Sequence, residues 1–254
     1  MASPYIIRTI ATFCNALPST QYTAMISVDI ELARSLAILE DGLHLQDPSL
    51  AGVVDTSVAD IDAVKKRWQS AWNVDAELEF LTAKLYLYGI RLAGLLTEAD
   101  VDNALYVDTL QASLHGAVKM ATLTTDLNLE ALFNAQNYGF HKNQHPLPGH
   151  GKHRVRSTFF AGVILLKYLD DTHQGTDDDK DLARNAFGKI FQMFSTSTST
   201  NMAEIENAAR ILETAGRALR QGGGHLQPRV TTRMGASLVD NVSGAELILD
   251  KAVG

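Results

Sequence analysis

Three basic or ionisable side chains stand among apolar residues and have the chemistry to bind an anion: Arg91, His115 and Lys167. The positions three and four residues from Arg91, its neighbours on a helix, are apolar, aromatic or small. A charge in such surroundings needs a partner. That partner is an Asp or Glu of the protein, unless the stem carries the charge to solvent, or it is a bound ligand. We therefore predict that these residues bind an anionic or hydrogen-bonding small molecule, with structural ion pairing as the alternative.

Histidines are concentrated in one polar segment, and neutral imidazoles of this kind bind zinc or copper. Half of the eight histidines fall there: His141, His145, His150 and His153. The predicted loop from Tyr138 to His153 contains Pro146 and Pro148, has no neighbouring cysteine and holds no two histidines on one helix face. We expect a solvated loop and no metal site.

Two adjacent aspartates, Asp170 and Asp171, follow an apolar helix and resemble the magnesium-binding motif of all-α terpene cyclases. The carboxylate that this motif requires four residues after Asp170 is replaced by Gln174. The second metal motif of that class is interrupted at Ile205 and Ala209. The end of one helix and the acidic start of the next explain the aspartates better. We predict no catalytic residue and no cofactor.

The element that positions Lys167 is the helix Val155–Leu169, which we expect to be the central helix of the fold. Its middle is apolar on every side except at Gly162, and a helix without a polar face is a buried one. It is too short to span a membrane. Among the most buried side chains we expect Phe159, Phe160, Val163, Ile164 and Leu166. The apolar stripes of Asp75–Leu96 and Asp100–Leu123 predict neighbouring helices, which carry Arg91 and His115 and enclose the ligand with the central helix.

The rest of the chain also has helical periodicity. Pro48 and Gly52 predict a loop from Gln46 to Thr56, and Ser57 begins a helix through Ile61, Val64, Trp68 and Trp72. Thr176, followed by aspartates, predicts another helix start. No stretch alternates as a strand does. The fold class is therefore all-α, a bundle of about eight to ten helices in a single domain over residues 1–254, with a looser tail at 225–254.

Composition excludes several classes of protein. The chain has 254 residues, of which 46% are hydrophobic and 20% charged, which is typical of a globular protein rather than a disordered one. Its net charge of -7 argues against direct binding of a nucleic-acid backbone. The single cysteine, Cys14, rules out a disulfide framework and a cysteine-rich zinc site within these residues. With neither a signal-peptide pattern nor a membrane span, we expect a soluble intracellular protein without a membrane partner.

The order of elements in the second half resembles the regulatory, or middle homology, region of fungal zinc-cluster transcription factors. This order comprises a leucine- and tyrosine-rich helix (AKLYLYGIRLAGLL), a long helix, a proline-containing loop, an apolar helix ending in LLKYL and a final stripe (AARILETAGRAL). Thr232–Val239 is similar to an Arg-Met-x-Ala-Ser segment of some members. The match covers roughly Asp75–Val239 and consists of loose apolar patterns.

This resemblance implies a nuclear regulatory domain that restrains or licenses transcriptional activation and, in some members, responds to a small metabolite or xenobiotic. It implies DNA contact only through a six-cysteine domain that this chain lacks, and a co-regulator protein or a second copy as a partner. The tail after Val239 also lacks the aromatic continuation of the family. Two other classes stay open: an all-α enzyme acting on a hydrophobic substrate, as terpene cyclases do, and a helical scaffold for protein partners.

Overall fold

The computed structural model describes residues 21–45, 50–95, 104–125, 150–170, 175–196 and 203–220. In these ranges the chain forms seven α-helices and one 3-10 turn, Gln69–Ala71, and no strand. The all-α prediction is confirmed. The helices are α1 Gln21–Leu45, α2 Leu50–Arg67, α3 Val74–Leu95, α4 Ala104–Thr125, α5 His150–Asp170, α6 Asp177–Thr196 and α7 Ala203–Arg220. None of these helices combines the length and apolarity that a membrane crossing requires.

The chain divides into two compact units, residues 1–109 and residues 110–254. The single domain, the count of eight to ten helices and the central position of α5 stay predictions. The tail at 225–254 lies outside the described residues.

In the first unit, α1, α2 and α3 pack against one another. Their contacts bury one apolar stripe from each helix, as the spacing predicts: Val28 and Leu39, Ile61 and Val64, Leu78, Leu81 and Leu85. Each such side chain stabilises the fold by about 1.5–3 kcal/mol relative to exposure. Between α2 and α3 the chain turns through Gln69–Ala71, and the Asn73 carbonyl oxygen Oδ1 accepts a hydrogen bond of 2.8 Å from the Ala76 amide at the start of α3.

In the second unit, α5, α6 and α7 pack against one another. A small residue makes this contact close: a Cβ at Gly162 would lie 3.1 Å from Leu212 Cδ2 and 3.3 Å from Ile190 Cγ2. Phe159 meets Phe194 edge to face, with ring centroids 6.4 Å apart, a favoured aromatic geometry. The glycine of α5 therefore sets how near α6 and α7 come to it.

Helix α5 is buried around most of its circumference and half-buried along one face. Phe159, Ile164 and Leu166 are buried as predicted. The prediction is wrong for Phe160 and Val163, which are half-buried. Together with Arg156 and Lys167, which are also half-buried, these two follow one another at four, three and four residues. That spacing places them on one face of the helix, so α5 has a partly exposed face although the middle of its sequence is apolar all round.

Candidate functional site

Arg91 lies near the end of α3 and binds a carboxylate of α2. Its Nη2 is 2.6 Å from Asp55 Oδ1, within the range of a charge-assisted hydrogen bond. The two side chains differ greatly in exposure, because that of Arg91 is 6% exposed and that of Asp55 is 66% exposed. The arginine therefore has a structural ion-pair partner, as one of the two interpretations of the sequence requires.

This unequal burial has a chemical consequence. Burying the guanidinium removes most of its hydration, so it must keep an anionic partner. The carboxylate that serves this purpose is hydrated and lies at the surface, on a different helix. The oxygens of a ligand carboxylate or phosphate accept hydrogen bonds from a guanidinium in the same way. Arg91 thus holds a carboxylate that lies at the surface on a different helix.

The other two predicted ligand residues belong to the second unit. His115, on α4, is exposed, and its Nδ1 lies 2.8 Å from the carbonyl oxygen of Gln111 one turn earlier. Lys167, on α5, is half-buried. Arg91 belongs to the first unit. A common ligand site for Arg91, His115 and Lys167 stays a prediction.

His115 has polar neighbours that the sequence analysis did not anticipate. At the start of α6 the Thr176 backbone N–H and hydroxyl donate to Asp179 Oδ2 at 3.2 and 2.9 Å, and the Asp179 N–H donates back to Thr176 Oγ1 at 3.2 Å. This reciprocal capping box confirms the predicted helix start. The hydrogen bonds from Thr176, assisted by the Gln111 side chain and by His115 when it is protonated, lower the pKa of Asp179 below its ordinary value of 3.8.

A second hydrogen bond extends this polar cluster to α5. The hydroxyl of Tyr168 donates to Gln111 Oε1 at 3.0 Å. The backbone of Gly175, with a φ of 76°, lies directly against the same hydroxyl, and a Cβ on residue 175 would overlap it. The cluster thus joins α4, α5 and the start of α6 within the second unit. Its groups are hydrogen-bonded to one another, which is the arrangement of a structural network.

A different polar cluster lies in the first unit, around the 3-10 turn. Glu77 Oε2 accepts hydrogen bonds of 2.6 Å from both Lys65 Nζ and Trp72 Nε1. The Lys65 ammonium also lies 4.6 Å from the ring centroid of Phe80 and 5.5 Å from that of Trp72. This cluster could not be predicted from the sequence, in which the apolar spacing favours Trp72 on the same helix as Lys65. In the structure α2 ends at Arg67, and the turn brings Trp72 back toward it.

The segments that were compared with metal-binding motifs lie only partly within the described residues. Within the described ranges, no three His, Cys, Asp or Glu side chains come together in a way that would hold a metal ion. Asp170 is the buried last residue of α5, whereas Asp171 and Gln174 lie outside the described ranges. His141 and His145 also lie outside them. The predicted loop is wrong at its end, because α5 already begins at His150.

Comparison with known proteins gives no relative. No family model matches the chain, and no curated protein and no solved structure matches it.

Proposed function

We propose that this chain is a regulatory, small-molecule-responsive domain of a fungal transcription factor and controls gene expression in the nucleus. The order of its apolar helices, which resembles the regulatory region of zinc-cluster factors, supports this proposal. So does the all-helical structure of the described residues. The proposal assigns no catalytic step and no cofactor to the chain. DNA binding is left to a zinc-cluster domain elsewhere in the transcription factor.

The observation that carries the effector-binding part is the ion pair between Arg91 and Asp55. This pair links α3 to α2. An anionic effector that binds the Arg91 guanidinium displaces the Asp55 carboxylate, which then becomes hydrated at the surface. Such a ligand favours a conformation in which α2 and α3 are no longer joined at this point. The resulting shift is limited by the difference in the ligand's affinity for the two conformations.

A reporter experiment with two variants tests this mechanism. The chain is fused to a heterologous DNA-binding domain and an activation domain in a fungal host, and reporter output is measured against a panel of small carboxylates and phosphates. Arg91→Ala should abolish the response to an active anion. Asp55→Asn removes the competing carboxylate, so the same response should occur at a lower concentration.

The two variants together separate effector binding from a purely structural ion pair. Both variants weaken the same ion pair. A purely structural role therefore predicts lower stability for both and an unchanged effector concentration at half response. Loss of the response in Arg91→Ala, together with a lower half-response concentration in Asp55→Asn, supports the effector site. Circular dichroism of both variants checks that the helices remain formed.

The presence of a six-cysteine cluster in the parent gene is a second test, and a parent gene without one would argue against the family assignment.

A further inference from the structure

The corner between α2 and α3 holds an ammonium group against two aromatic rings and a buried carboxylate. The rings of Trp72 and Phe80 meet edge to face, with centroids 5.8 Å apart and planes at 83°. The ammonium of Lys65 lies within reach of both ring centroids, at 5.5 and 4.6 Å, and 2.6 Å from Glu77 Oε2. Aromatic faces and a carboxylate are the groups that recognise alkylammonium ions in proteins.

Each wall of this corner is fixed by other parts of the fold. Glu77 is 7% exposed, and its Oε2 is oriented by the indole N–H of Trp72 as well as by the lysine. Phe80 is buried in the packing of α3. A positive charge is favoured here, because it lies 2.6 Å from a buried carboxylate and close to two aromatic rings.

The occupant is less constrained than the walls. The Lys65 side chain is 36% exposed, and a lysine stem turns easily so that its ammonium reaches water. We propose that Trp72, Phe80 and Glu77 form a binding site for an alkylammonium group, that Lys65 is the resident occupant, and that an external alkylammonium ligand binds by displacing it. The ligand of this site is a cation, and the site is separate from the anion-binding site proposed at Arg91.

A second lysine provides a matched comparison. Lys84 Nζ lies 5.1 Å from the Phe80 ring centroid, but its carboxylate partner is Asp62, at 3.1 and 3.3 Å. Lys84 therefore shares the ring with Lys65 without sharing Glu77. Removing Lys65 should vacate the site, whereas removing Lys84 should leave it occupied.

The test uses fluorescence of the full chain. Trp68→Phe leaves Trp72 as the sole tryptophan, since the chain has two. In this background Lys65→Met removes the resident ammonium and keeps most of the stem. Titration with butylammonium chloride, against sodium chloride at the same ionic strength, should give a saturable change in Trp72 emission. The concentration at half saturation should be about tenfold lower for Lys65→Met than for the lysine-containing parent, since a desolvated cation–π contact is of that size.

Two further variants decide how this result is interpreted. Lys84→Met should titrate like the parent, and Lys65→Met combined with Glu77→Gln should lose the gain. The proposal is overturned if Lys65→Met responds no better than the parent or if Lys84→Met gains as much. It is also overturned if the Glu77→Gln double variant keeps the gain. Should Lys65→Met be unfolded in sodium chloride, refolding in butylammonium supports the site, and failure to refold overturns it.

Discussion

Gly162→Ala should destabilise the second unit although alanine is the better helix former. The new Cβ would lie 3.1 Å from Leu212 Cδ2 and 3.3 Å from Ile190 Cγ2. Both distances are shorter than ordinary carbon contacts of about 3.5–4.0 Å, so the Leu212 and Ile190 side chains, or the helices that carry them, must shift by a few tenths of an ångström. Overpacking of this kind costs about 1–3 kcal/mol. Replacing a helical glycine by alanine offsets about 0.5–1 kcal/mol of that cost.

Gly188→Ala is the matched control, because this glycine is in α6 and a Cβ there would have no neighbour within 4 Å. It should stabilise the protein by about 0.5–1 kcal/mol, the helix-propensity term alone. The difference between the two variants isolates the overpacking and should be about 1–3 kcal/mol. Urea unfolding followed by circular dichroism gives the free energy of unfolding of each. Equal stabilisation by both alanines would refute the close packing of α5 against α6 and α7.

The remaining predictions concern the same unit. Leu166→Ala should lower the free energy of unfolding, measured in urea, by about 2–5 kcal/mol. The control Leu182→Ala, at an exposed position of α6, should change it little. A loss below about 0.5 kcal/mol at Leu166 would place that side chain at the surface. Gly175→Ala should destabilise the protein by at least about 1–2 kcal/mol, because a φ of 76° disfavours a residue with a Cβ and the Tyr168 hydroxyl occupies the space where that Cβ would lie. A melting temperature equal to that of the wild type would contradict this prediction. Because the folded pKa of Asp179 lies below 3.8, its contribution to stability is present above that pH and is lost as pH falls through the folded value. Asp179→Asn should therefore reduce the acid sensitivity of the melting temperature below pH 4, and unchanged sensitivity would argue against the capping box.

The positions of most helices could be predicted from the sequence, because apolar spacing is a local property. Apolar residues at three- and four-residue steps predict a helix from Gln21 to Leu45, and α1 has both of these ends. Helix α3 differs from the predicted Asp75–Leu96 by one residue at each end. The loop from Gln46 to Thr56 was wrong: α2 begins at Leu50, directly after the proline region, and includes Gly52. An exposed helical glycine of this kind, with no neighbour within 4 Å of a Cβ, reduces helix propensity by about 1 kcal/mol without breaking a helix.

The contacts of the candidate site depended on tertiary packing and could not be predicted. The sequence showed that Arg91 needs a partner, but Asp55 stands far from it in the chain, and many other carboxylates were equally available. The ammonium site needed the 3-10 turn that returns Trp72 to Lys65, and no local pattern indicated that turn. The half-buried face of α5 is apolar at Phe160 and Val163, so composition could not distinguish its middle from the buried side. The signal that indicates this face is the helical spacing of those two residues from Arg156 and Lys167.

The most direct measurement of the proposed function is a thermal-shift titration of the purified chain and two variants with small carboxylates and phosphates. A ligand that binds the folded state raises the melting temperature with its concentration. An anion that stabilises the wild type should act on Asp55→Asn at a lower concentration, since its competitor is gone, and should leave Arg91→Ala unchanged. An effect of equal size on all three proteins would place the ligand away from this ion pair, and the absence of any stabilising anion would contradict the anion-responsive domain proposed for this chain.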